Sequence, residues 1–242
     1  MDLSNCWGLK LTISAWLAQF RQPSAVTTQL SYILPSKTSL IGLLLAKAGY
    51  GRLYYNKMPE EYIHLNKAIK IAISYSKKSV VKYMEYVTLR NMNKKLERKP
   101  TKVEYVVLPK YEVIYLLPKD NDIVGEQNKE KLLNNEIFKT YLGSNESLVT
   151  IESSKEISLQ KVGSQPTITT RFTVPVKFVK ALPEEYINKI IPTKLLVSAP
   201  AEFEKKHCNV IVPIGEPIKV DLIKDVELLR MSSSNELIVG VL

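Results

Sequence analysis

The chain opens on an alternation. Trp7, Leu9, Leu11, Ile13 and Ala15 take every second position, with Gly8, Lys10, Thr12 and Ser14 between them. A period of two puts one set on each face and predicts a half-buried strand. Ile69, Ile71, Ile73 and Tyr75 alternate with Lys70, Ala72 and Ser74 and predict a second. Residues 103–117, rich in Val, Tyr, Ile and Leu, read as a third, broken near Pro109. Leu148, Val149 and Ile151 make a fourth.

Two helical stretches separate these strands. Residues 39–48 are apolar on nearly every side, which predicts a buried helix. Ser36 or Thr38 can cap its start and Gly49 its end. Gly42 lies inside it, where glycine costs about 1 kcal/mol against alanine, so a close packing contact is expected there. Residues 128–138 predict a short second helix, with Leu133 and Ile137 one turn apart. A charged loop holding His64 is expected between the first helix and the second strand.

The order is strand, helix, strand, strand, helix, strand. This predicts an α+β fold whose N-terminal domain, residues 1–163, is a ferredoxin-like βαββαβ sheet with both helices on one face. Prolines crowd the chain after residue 163, and short strand candidates follow at 194–198, 209–214, 218–222 and 237–241. Residues 164–242 therefore read as a smaller, mostly β C-terminal domain.

Charge changes this picture locally. The chain carries 34 basic and 24 acidic side chains, a formal net charge of +10. Residues 77–110 alone hold ten basic and three acidic residues, +7 of that excess, with Tyr83, Tyr86 and Met92 among them. Such a one-sided segment predicts a basic arm, about 77–103, projecting between the second and third strands. Cations interleaved with aromatic groups suit unpaired bases and phosphates. A solvated connection is the plain alternative.

Little else carries chemistry. Lys37-Thr38 before a helix resembles the end of a nucleotide-binding P-loop, but Ser31 and Ser36 stand where that loop needs glycine, and Pro35 has no N–H to give. What remains is a helix entrance able to attract an anion. The only cysteines, Cys6 and Cys208, form no disulfide framework, and His207 has no second ligand at zinc spacing. Asp120, Asp122 and Glu126 do not fit a calcium loop. His64 and His207 show no catalytic partner. No cofactor and no metal are expected. No apolar run approaches the ~20 residues of a membrane span, so a cytoplasmic protein without membrane contact is expected.

"FRQPSAVTTQLSYILPSKTSLIGLLLAKAG", residues 20–49, resembles the N-terminal signature of the CRISPR-associated Cas-five family of the RAMP superfamily. The resemblance rests on Phe20-Arg21, Ser31-Tyr32, Leu34-Pro35, Thr38-Ser39, Gly42-Leu43-Leu44 and Gly49. "KTYLGSNESLVTI", residues 139–151, is similar to the family's Tyr-Leu-Gly element before the fourth strand. One departure is Ser36, where many relatives carry a second proline.

The resemblance implies a RAMP/RRM-like fold and a non-catalytic subunit of type I Cascade, an antiviral ribonucleoprotein. Such a subunit holds the crRNA 5′ handle and touches the Cascade backbone subunit and the Cascade large subunit, with its arm acting as a thumb. RNA contacts are then expected from Arg21, Thr28, Gln29, Tyr32, Lys37, Thr38 and Arg52 in and after the signature. In the arm they are expected from Lys78, Lys82, Arg90, Lys94, Lys95, Arg98 and Lys99. The alternative is a RAMP endoribonuclease that processes precursor crRNA with Tyr, Lys and His. A third reading is a basic protein-interaction subunit with incidental RNA affinity.

Overall fold

In the computed structural model the opening alternation forms strand β1 (Cys6–Ala15). The structure describes residues 3–22, 28–50, 60–76, 80–92, 95–134, 136–143, 147–197, 207–223, 226–232 and 236–239. Four two-residue strands follow β1: β2 (Leu17–Ala18), β3 (Phe20–Arg21), β4 (Thr28–Gln29) and β5 (Ser31–Tyr32). They lead into helix α1 (Lys37–Ala48). Its boundaries are chemical. The Ser39 N–H donates to the Ser36 hydroxyl at 3.1 Å, and Gly49 closes the helix at φ 90°, a left-handed turn that costs glycine little.

Helix α2 (Glu60–Ala68) stands where the sequence predicts a charged loop. It has no broad apolar stripe, so its period is invisible. Leu65 and Asn66 hold it down, and His64 is exposed on it. Then come β6 (Lys70–Tyr75), β7 (Val80–Met92), β8 (Lys95–Val107) and β9 (Lys110–Pro118). The expected third strand is thus two strands in different sheets, parted at Leu108-Pro109.

Helix α3 (Lys129–Asn134) is shorter than the predicted 128–138. Beyond it, Ile137 and Phe138 donate their N–H groups to the Lys47 and Ala46 carbonyls at 3.4 and 3.2 Å. They satisfy the free carbonyls at the end of α1 rather than extend α3.

The rest is β structure: β10 (Val149–Ile157), β11 (Leu159–Val162), β12 (Thr167–Thr170), β13 (Val174–Pro175), β14 (Val179–Ala181) and β15 (Ile190–Leu196). After these come β16 (His207–Pro213), β17 (Ile218–Leu222), β18 (Leu228–Met231) and β19 (Leu237–Val239). The fold is strand-rich α+β. Its main sheet runs β10-β1-β9-β6, with every neighbour antiparallel. Three small sheets follow, β11-β18-β19, β12-β17-β14 and β13-β16-β15.

Alternation sorts the sheet into two faces. Leu9, Leu11, Ile13, Ile71, Ile73, Tyr75, Tyr111, Val113, Tyr115 and Leu117 pack with Leu40, Leu44 and Leu132 of the helices. On the other face Ala72, Ile114, Leu116 and Ile157 pack with Phe172, Leu229, Met231 and Ile238. The strands are therefore not uniformly half-buried, because C-terminal pieces cover part of the second face. Where that face stays polar, Glu112 pairs with Lys10 at 3.2 Å and with Arg171 at 3.6 Å, and Arg171 reaches Glu236 at 2.7 Å.

Two glycines contrast. A Cβ on Gly42 would meet nothing within 4 Å, so the close contact expected there is absent. Gly143, in the Tyr-Leu-Gly element, has φ 90°, and a Cβ there would lie 1.6 Å from the Gln19 carbonyl oxygen. Gln19 in turn donates its N–H to the Leu142 carbonyl at 3.1 Å. Gly143→Ala should destabilise by roughly 2–5 kcal/mol through backbone strain and clash. Gly42→Ala should stabilise by up to about 1 kcal/mol. Urea unfolding of the two variants checks both signs.

Candidate nucleic-acid interface

The basic segment is a β-ribbon. β7 and β8 pair from Val80↔Val107 to Met92↔Lys95, thirteen pairs in register. Val, Thr and Tyr fill both strands and favour the extended form. The base of the ribbon is anchored in the body. Val103, Tyr105 and Val106 are buried. β2 pairs antiparallel with β8 at Val107 and Val106, and β4 pairs parallel with it at Lys102 and Val103. The Ser31 N–H donates to Glu104 Oε2 at 2.7 Å. The outer seven pairs, from Tyr86↔Thr101 to Met92↔Lys95, have no further strand beside them among the described residues. At ~3.3 Å per residue they extend for ~20 Å.

Register sorts the arm's cations, which composition cannot do. Lys82, Arg90, Lys95 and Lys99 sit at positions of one parity, with Tyr86 and Met84. Arg98 has the opposite parity, with Leu89, Leu96 and Val87. With Glu97 counted, the first parity holds four cations and one anion, while the second holds Arg98 and Lys102 against Glu85 and Glu104, so the register gathers the net positive charge on one set of positions. Arg52, Lys78 and Lys94 lie outside the described residues.

The signature block is folded against the root of this ribbon. Phe20 is buried edge-on to Tyr111 at 6.2 Å, and its N–H donates to the Ser31 hydroxyl at 2.9 Å. Arg21, next to it, is exposed. Gln29 accepts from Gln19 Nε2 at 3.2 Å, and Thr28 pairs with Lys102. The Thr38 hydroxyl lies 2.8 Å from that of Ser36.

Lys37 differs from the other site residues. It is only 7% exposed, although it begins α1. Burial, with Lys70 adding like-charge repulsion, pulls its ammonium down to about 8.

One pairing was not visible in the sequence. The Tyr32 hydroxyl lies 3.0 Å from His207 Nε2, across 175 residues of chain. Tyr32 stands in the signature block and His207 has no partner near it in sequence, and only the meeting of β5 with the start of β16 joins them. Burial pushes the Tyr32 phenol up, so it stays protonated at neutral pH. Such a pair can move a proton. Among the described residues no group of three His, Cys, Asp or Glu side chains could hold a metal, and no helix is long and apolar enough to cross a membrane.

Residues 8–187 match the family model described as CRISPR-associated protein (Cas_Cas5). No curated protein matches the chain. A solved CRISPR protein from Archaeoglobus fulgidus is 15% identical with a TM-score of 0.59, over 98% of this chain and 99% of that one. A chain of a CRISPR RNA-guided surveillance complex is 12% identical with a TM-score of 0.50, over 88% of this chain and 91% of that one. At these identities the likeness is one of fold.

The buried lysine carries a testable sign. Unfolded lysine titrates near 10.4 and native Lys37 at about 8. Between these values the unfolded chain binds a proton that the native chain does not, so Lys37 makes stability rise with pH across that window. Lys37→Met should raise stability at pH 7 by roughly 1–3 kcal/mol. It should also flatten the rise between pH 7 and 9.5, as read by denaturant unfolding at each pH.

Proposed function

The chain belongs to the CRISPR-associated Cas5 family, and we propose that it is a non-catalytic RNA-binding subunit of a type I Cascade surveillance complex. In this role it holds the 5′ handle of the crRNA and touches the backbone and large subunits. The observation that carries the proposal is the ribbon β7–β8, anchored at its root and placing Lys82, Arg90, Lys95 and Lys99 on one face. A cationic strip over ~20 Å of extended backbone follows a phosphate chain as a round basic patch would not. Likeness of fold to a chain of an RNA-guided surveillance complex supports the same role. In this reading the sheet β10-β1-β9-β6 with α1 and α3 is the ferredoxin-like RAMP platform, and residues 164–242 are a second domain bracing its other face.

The Tyr32–His207 contact favours a second reading, metal-free cleavage of precursor RNA. His207 Nε2 would take the proton of a ribose 2′-hydroxyl, whose oxygen attacks the adjacent phosphorus. The 5′-oxygen would leave with a proton from Tyr32, giving a 2′,3′-cyclic phosphate.

Two experiments separate these roles. Under the first reading, changing Arg90, Lys95 and Lys99 together to Gln removes three phosphate contacts worth ~0.7 each in the slope of log K against log salt. The slope should flatten by about 2, with the melting temperature unchanged, while Arg98→Gln alone changes it little. Wild-type and triple-variant lines that coincide would reduce the ribbon's charge to solvation. In the second experiment, purified protein is incubated with repeat RNA in EDTA, and the RNA should stay intact. A single cut that disappears in both Tyr32→Phe and His207→Ala would instead establish the nuclease.

A further inference from the structure

At the root of the ribbon the strands end in a row of exposed apolar side chains. Trp16 is 72% exposed, and Leu108, Tyr141 and Leu148 are 41–54% exposed. Backbone geometry makes them neighbours. β1 and β10 pair through Ala15↔Val149, so Trp16 and Leu148 are each the next residue past that pair. Leu148 bridges to Tyr141 on its other side. The Leu108 N–H donates to the Trp16 carbonyl at 2.8 Å, and the Ala15 N–H donates to the Pro109 carbonyl at 3.2 Å. The order across the strand ends is Tyr141, Leu148, Trp16, Leu108. With strands ~4.8 Å apart the row spans ~15 Å.

Single exposed apolar residues are ordinary, but four in a row, one of them tryptophan, mark a contact surface. Leu108 strengthens this. It has φ 50°, the only positive φ among the described non-glycine residues, a conformation unfavourable for leucine. The strained corner lies where β8 leaves its sheet and the chain turns into β9, and it leaves Leu108 in solvent. Strain of this kind gathers where a binding surface must be held in place.

We propose that Trp16 and Tyr141, with Leu108 and Leu148 beside them, form a stacking platform for unpaired RNA bases. Charge complementarity decides the occupant. The row adjoins the segment 77–110, which holds +7 of the chain's +10, and Leu108 directly follows the last residue of β8. A polyanion lying along the ribbon has its phosphates on the cations and reaches this row with its bases free. Aromatic faces accept any base, because every base has a π-face. The inference rests on the RNA-binding reading above and adds the surface that takes the bases rather than the phosphates.

The test uses the full chain and two probes, single-stranded oligouridylate and an abasic oligonucleotide of equal length. The chain has two tryptophans. Trp7 is buried, its indole donating to the Val124 carbonyl at 3.0 Å, so quenching on binding reports Trp16. Oligouridylate should quench the emission and the abasic chain should not, and Trp16→Phe should abolish the quench while keeping most of the affinity. Trp16→Ala should weaken oligouridylate binding roughly 5- to 160-fold, the range expected for one stacked base. Its salt slope should stay wild-type, and its affinity for the abasic chain should not change. Tyr141→Ala should act the same way more weakly. Normal oligouridylate affinity in Trp16→Ala without quenching in the wild type would overturn the platform while leaving the RNA-binding reading standing. Failure of the wild type to bind either probe would overturn both.

Discussion

Two phenols buried at the centre of the sheet cannot go without partners. Tyr111 and Tyr115 are fully covered, and an unmet hydroxyl in such a place costs about 1–3 kcal/mol. Tyr111 donates to the Ile33 carbonyl at 2.6 Å and Tyr115 to the Leu40 carbonyl at 3.0 Å. Those two bonds pin the segment that leads into α1 onto β9. Ser36 and Lys37 lie between the two bonded carbonyls, and Tyr32 directly precedes the first of them. Tyr75 stacks on Tyr111 at 5.4 Å and ties β6 to the same point.

A second constraint comes from the other face of the sheet. Phe172, Leu229, Met231 and Ile238 cover Ala72, Ile114 and Leu116, so β9 is buried on both sides and rigidly held. The ribbon turns into β9 through the strained corner at Leu108. A stiff sheet, a sharp corner and a long two-stranded ribbon give a lever whose root is fixed and whose outer part lies free of the described sheets. In the proposed role a linear polyanion lies along this shape, its phosphates at the ribbon's net-positive register positions and its bases at the aromatic side chains of the root.

The helix entrance that resembles a nucleotide loop illustrates how local pattern sets a cap without setting the exposure of the residue beside it. Ser36 caps α1 as the sequence implies, but Lys37 is drawn into the protein and its ammonium is depressed by burial. Arg21, Gln29 and Tyr32, which carry weaker local signals, lie nearer the surface. The Tyr-Leu-Gly element reads in sequence only as a family mark. In the structure its glycine makes room for the Gln19 carbonyl.

Read alone, the sequence determined what depends on near neighbours. The period-two runs at residues 7–15 and 69–75 and the apolar Leu148, Val149 and Ile151 mark strands, and Ser36 and Gly49 bound α1, because these patterns act within a few residues. The net charge of 77–110 and the signature motifs likewise pointed to RNA and to the family. Tertiary structure alone decided the rest. α2 forms without an amphipathic period because Leu65 finds a core to enter. α3 stops early because Ile137 and Phe138 serve the end of α1. Gly42 proved to have open space, and Tyr32 met His207. The pairing register decided which cations share a face, and the strand ends brought Trp16, Leu108, Leu148 and Tyr141 into one row. Each of these turns on contacts between segments far apart in the chain, whose geometry no local pattern encodes.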